Sequence, residues 1–203
     1  MRTIILIMLA MSGLSAFSQT KAKDVFAAAP DSIFPLLTTN NRLDCIDLIE
    51  NNMKATVKNK LEQKAEMTTL TDSYLQIKPS ERSVVEIKML NDSVFCLINT
   101  CLGPAPDSRI SFFTRNWEPY KTTFPMPHAT DFWTSVPDSL ARDADFAQRS
   151  QEDLLLIQIS ADKESTELTL TIQTSELSGK EKEIAQKYVK PLRYKWNGKD
   201  FTR

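Results

Sequence analysis

Two aspartates one helical turn apart, Asp44 and Asp47, are the first residues along the chain whose types and spacing could do chemistry. Such a pair can hold a divalent cation or share a proton as general acid and base. Its commoner use is a solvated helix face, here with Arg42 beside it. The single histidine, His128, must serve any His-based triad, and one histidine excludes a metal centre built from several. A lone histidine in a proline-rich stretch is usually solvated. Ser160-Ala161-Asp162-Lys163 has the Ser-x-x-Lys spacing of penicillin-interacting acyl-enzymes, where the lysine supports the base. Neither Ser-Asp-Asn nor Lys-Thr-Gly accompanies it, so the run is expected to close a β-hairpin. Asp107-Ser108-Arg109 could grip a carboxylate through the arginine, but reads as a turn before a strand.

The four glycines, Gly13, Gly103, Gly179 and Gly198, are isolated from one another, so no glycine-rich loop can cradle a phosphate. That excludes nucleotide cofactors of the P-loop and dinucleotide types, and no cofactor is expected. Three cysteines occur, Cys45, Cys96 and Cys101, far below the density of a disulfide scaffold. Cys96 and Cys101 point to opposite faces if they share a strand. Cys45 with Cys96 is then the pairing to test, against the alternative that all three are buried small hydrophobes. Trp117, Trp133 and Trp196, with Tyr120, Phe112 and Phe113, could offer an aromatic surface to a glycan or protein, although most such rings are core packing. Trp117, just before the proline-rich stretch, is the one expected to be partly exposed.

The elements that must position these groups fall into two units. In the first, Asn40 or Asn41 is expected to cap a helix with Leu43, Ile46, Ile49 and Met53 on its apolar face. Strands follow at 73–77, 83–90, 93–100 and 109–114, with Asn91-Asp92 as a hairpin turn. In the second, 154–160 and 167–174 form a hairpin in which Leu168, Leu170 and Ile172 alternate with Thr169, Thr171 and Gln173, one face buried and one wet. Ser178 to Glu181 reads as a capping box for a short helix, and Leu192 to Trp196 as the last strand before an Asn197-Gly198 turn. Phe26 to Ile33 is echoed, with one insertion, by Phe132 to Leu140, which suggests tandem units at 19–121 and 130–203. Between them the prolines at 119, 125 and 127 mark a linker, placed at 122–129.

Residues 1–18 carry the pattern of a secretory signal: Arg2, an apolar run from Ile4 to Met11, then Ala16-Phe17-Ser18 for cleavage after Ser18. The run falls short of the ~20 residues a transmembrane helix needs. No cysteine precedes Cys45, so no lipid site is offered. A protein exported to the periplasm or beyond, without an integral membrane segment, is expected. With 41% hydrophobic and 25% charged residues the composition is that of a globular protein with a real core. A net charge of −1, with both signs interspersed, draws in neither nucleic acid nor anionic lipid.

Asn40-Asn41-Arg42-Leu43-Asp44, Leu70-Thr71-Asp72-Ser73-Tyr74-Leu75, Gly103-Pro104 with Asp107 to Thr114, and Pro191 to Gly198 together resemble an uncharacterised family of exported proteins from Bacteroides-like bacteria, domain of unknown function 3256. The resemblance covers nearly the whole mature chain and implies compartment and extent, but no catalytic residue. Separately, tandem helix-plus-antiparallel-sheet units resemble the beta-lactamase inhibitor protein fold, which grips a partner on a concave sheet. The fold expected is therefore α+β in two tandem units. The function expected is a non-enzymatic binding module that meets an envelope protein or glycan through Trp117, Thr169, Thr171, Gln173, Arg193 and Lys195. The rival is an envelope hydrolase using Asp44 and Asp47 or His128.

Overall fold

The computed structural model describes residues 19–142, 156–172 and 179–203. The segment expected to be a signal, 1–18, together with Gln173, the expected strand residues at 154 and 155, and Ser178, lies outside the described residues. Helices α1 (Ala22–Ala27) and α2 (Thr39–Glu50) come first. Six strands follow: β1 (Thr56–Lys58), β2 (Lys64–Leu70), β3 (Tyr74–Ser80), β4 (Ser83–Met89), β5 (Val94–Leu102) and β6 (Pro106–Thr114). After a 3-10 turn (Ala129–Phe132) and α3 (Asp138–Ala141) come β7 (Ile157–Ala161), β8 (Glu167–Ile172), α4 (Gly179–Tyr188), β9 (Leu192–Trp196) and β10 (Phe201–Thr202). The fold is α+β, with a six-stranded antiparallel sheet in the order β1 to β6 and a four-stranded one in the order β10-β9-β8-β7.

The period-two rule explains the layers. Along β5, Phe95 and Leu97 join one core cluster, whereas Val94, Cys96 and Ile98 join another. The larger sheet is thus covered on both faces. Val85, Ile87 and Met89 of β4 face the helices, packing with Phe26, Phe34, Leu37 and Ile46. The opposite face meets Ile157, Ile159, Leu168, Leu170, Leu192 and Tyr194 of the smaller sheet. The units expected from the sequence follow one another along the chain, and they share this second core. The stretch expected as a linker takes part in it: the Phe124 ring packs on Phe112, Tyr194 and Phe201, 5.4 to 5.9 Å between centroids.

Several details differ from expectation. The cap of α2 is Thr38, whose Oγ1 accepts from Asn41 N–H at 3.1 Å while Asn41 Oδ1 accepts from Thr38 N–H at 3.1 Å. The face that α2 buries is Arg42, Cys45 and Ile46, and Leu43 and Met53 stay exposed. Arg42, expected on the solvated face, is 1% exposed because its guanidinium donates to the Ala29 and Leu37 carbonyls at 2.7 and 3.2 Å and pairs with Asp31. It ties the loop before α2 to the helix, beside the loop's own turns from Ile33 N–H to Pro30 and Leu37 N–H to Phe34. Cys45 lies in the helix-side core and Cys96 in the sheet-side core, so the central sheet stands between them and they cannot bond. All three thiols are free, Cys101 being the exposed one. Strands β1 and β2 were not expected; their turn is built by Asn59, whose Oδ1 accepts from Leu61 and Gln63 N–H.

Candidate functional site

The solvent side of the smaller sheet collects most of the polar residues expected to meet a partner. Residues directly opposite in an antiparallel pair share a face. Thr169 pairs with Arg193 and with Ser160, Thr171 with Gln158, and Glu167 with Lys195. These side chains therefore form one plateau across β7, β8 and β9, backed by the buried Leu168, Leu170, Leu192 and Tyr194. Arg193 and Lys195 are exposed, and Glu167 lies between them, 3.3 Å from the guanidinium and 3.9 Å from the ammonium. The carboxylate keeps two long cations upright without covering them. Turns at both ends are fixed by side chains: Asp162 Oδ1 accepts from Glu164 and Ser165 N–H, and Asn197 Oδ1 from Lys199 and Asp200 N–H. Gly198, at φ 104°, takes the left-handed position that the second turn requires. Ser160 to Lys163 closes the β7–β8 hairpin.

A second polar cluster, centred on the buried Glu86 and Lys88, lies between the sheets; Asp107 and Ser108, expected in a turn before a strand, stand within β6 instead and join it. Strand β7 is an edge, and its N–H groups at 157, 159 and 161 point away from β8. Each donates to a side chain of the larger sheet: Ile157 to Asp107 Oδ1 at 3.2 Å, Ile159 to Ser108 Oγ at 2.9 Å, and Ala161 to Glu86 Oε2 at 2.9 Å. Tyr74 and Gln76 also favour the charged form of Glu86, and Gln76 Nε2 donates to the Tyr74 hydroxyl at 3.1 Å. Burial still holds the Glu86 carboxyl above the usual glutamate range, against the Ala161 bond, those two neighbours and the pull of Lys163. Two residues on, Lys88 is 1% exposed and donates to Ser73 Oγ at 3.0 Å and to the Lys163 carbonyl at 2.9 Å. Burial lowers its pKa, opposed by Asp162 and Cys96. Glu86 and Lys88 alternate with Val85, Ile87 and Met89, a signal legible only to a reader who already knew that both faces of β4 are covered.

The other candidates are dispersed. Asp44 and Asp47 are exposed on α2, on the helix side of the central sheet. His128 is exposed and precedes the 3-10 turn whose Phe132 enters the opposite core, so the two hydrolase candidates are not brought together. Among the described residues no group of three or more His, Cys, Asp or Glu could hold a metal ion. Trp117 is half-buried, and its indole N–H donates to the Val25 carbonyl at 2.8 Å. Its ring meets Phe34, Phe95 and Phe113, which occupies the surface expected to greet a partner. A cleft of about 140 Å³ lined by Lys23, Ile49, Glu50, Leu70, Thr71 and Asp72 is smaller than the roughly 300 Å³ at which ligand pockets begin. Burial pushes the thiols of Cys45 and Cys96 up to about 11 and about 12, which keeps them protonated and poor nucleophiles near neutrality.

The family model described as "Protein of unknown function (DUF3256)" matches residues 14–201. The chain belongs to this family. Among solved structures it is similar to a domain of an uncharacterized protein from Porphyromonas gingivalis W83, with a TM-score of 0.73 and 26% identity over 89% of this chain and 96% of that one. No curated protein matches. That solved structure shares this fold, and neither comparison assigns an activity to either cluster. No described helix is long and apolar enough to cross a membrane.

Proposed function

We propose that this member of the family is an exported, non-enzymatic binding module whose recognition face is the solvent side of the smaller sheet. The observation that carries the reading is the plateau of Thr169, Thr171, Arg193 and Lys195, with Ser160 and Gln158 in register beside them and Glu167 bracing the cations. Hydroxyl and amide groups on a rigid sheet lose little conformational freedom on binding, and the exposed cations add charge-assisted hydrogen bonds to an acidic protein loop or glycan. Export is supported by the signal pattern of residues 1–18. The partner is an envelope protein or glycan.

Photo-crosslinkers placed at Thr171 in the mature chain, and at Asp44 as a control on the opposite side, test this in the native envelope. A discrete product is expected from the sheet position alone, lost in the double variant Arg193→Glu, Lys195→Glu. Exposed ion pairs contribute only ~0–1 kcal/mol, so the urea midpoint of that variant should stay close to wild type. Equal products from both positions, or full capture by the charge-reversed variant, would refute the recognition face.

A further inference from the structure

We propose that the joint between the two sheets is a proton-coupled clasp, in which Glu86 takes up a proton as β7 seats on the larger sheet and the joint tightens as the medium acidifies. The geometry is that of a carboxyl closed in by an interface. Glu86 is 5% exposed and receives the Ala161 N–H from across the joint at 2.9 Å. Among the described residues none forms an ion pair with it, because the nearby ammonium of Lys88 is directed at Ser73 and the Lys163 carbonyl. A buried carboxylate without a counter-ion takes a proton rather than remain charged.

The ionisable groups around it come from every neighbouring element. Tyr74 on β3 acts on it, Lys88 shares its strand, and Cys96 on β5 pairs with Lys88 and feels the Glu86 charge. Lys163 acts on it from the hairpin, Asp162 of the same hairpin acts on Lys88, and Asp107 on β6 holds the far end of β7. Tyr74 and Cys96 stay neutral, since burial raises both. Glu86 is thus the buried carboxyl whose charged form the joint disfavours.

The sign follows from proton counting. A carboxyl whose pKa is raised on folding binds more protons folded than unfolded. Stability therefore falls as pH rises from the ordinary 4.5 through the raised folded value, and returns on acidification. Separation of the sheets would release the proton to water.

Thermal midpoints of wild type and Glu86→Gln, measured from about pH 5 to about pH 8, isolate this group, because the difference between the two cancels the remaining titrations. The expected result is a wild-type midpoint that falls relative to the variant as pH rises. A difference that is flat, or that rises with pH, would overturn the clasp. Should the variant not fold, carbon NMR of glutamate carboxyls in the wild type decides the matter. One carboxyl should titrate above the ordinary range with the Ala161 amide following the same midpoint, and titration of all of them at or below about 4.3 would sink the proposal.

Discussion

The two faces of the central sheet are built on opposite principles. Toward the helices it presents Leu75, Ile77, Val85, Ile87, Met89, Phe95 and Leu97, all apolar. Toward the smaller sheet it presents Glu86, Lys88, Tyr74 and Thr100 among its apolar residues. The covering element explains the difference. A helix satisfies its own backbone along its length and asks only for apolar contact. An edge strand laid across a sheet brings a row of unpaired N–H groups, and each must find an acceptor or cost about 1–3 kcal/mol. Asp107, Ser108 and Glu86 supply those acceptors, and Lys88 supplies the donor for the turn carbonyl at Lys163. Buried polarity here records what covers the sheet.

Substitutions on the two faces should differ in size and in pH response. On the helix side, Phe95→Ala removes a fully buried ring packed on Phe113 and Trp117, and a loss of about 3–5 kcal/mol is expected from urea unfolding, with little pH dependence. On the sheet side, Lys88→Met should cost less, about 2 kcal/mol, since relief of a buried ammonium offsets part of the lost hydrogen bonds. Because burial lowers the Lys88 pKa, the folded chain holds fewer protons than the unfolded one between the lowered value and 10.5. Wild-type stability should rise with pH through that window, and Lys88→Met should lack the rise. Equal losses and equal pH profiles for the two variants would erase the contrast between the faces. The smallest effect is expected at Thr38→Ala, about 1 kcal/mol, measured in the same way. A much larger loss would mean that α2 depends on the sheet for its backbone bonding after all.

The fold class, the Asn91-Asp92 hairpin and the last strand were legible because alternation and turn residues are local signals. Leu192–Trp196 forms as expected, and Asn91 Oδ1 accepts from Ser93 and Val94 N–H at the turn. Leu43 and Met53 misled because helical periodicity alone does not say which face a neighbour covers, and Arg42 was buried by carbonyls of a loop that no pattern reveals. The plateau of Thr169, Thr171, Arg193 and Lys195 was legible, since strand alternation assigns its side directly. The buried cluster was not: Glu86 and Lys88 look like solvent-facing residues until the smaller sheet is known to lie over them. The pairing considered for Cys45 and Cys96 failed for the same reason, because sequence separation carries no record of an intervening sheet.

The occupied edge of β7 limits how a partner can engage the smaller sheet. Recognition by strand addition needs an unpaired ladder several residues long. Asp107, Ser108 and Glu86 occupy that ladder on β7. On the last residues of β6 the returning chain takes it, where Phe113 bridges Pro119 and Tyr120 N–H donates to the Phe112 carbonyl. The remaining edges, Thr56–Lys58 and Phe201–Thr202, are too brief to template a strand. A ligand on the plateau would read side chains rather than backbone, so its specificity would be written in the plateau's composition and would drift readily among relatives that keep the same framework.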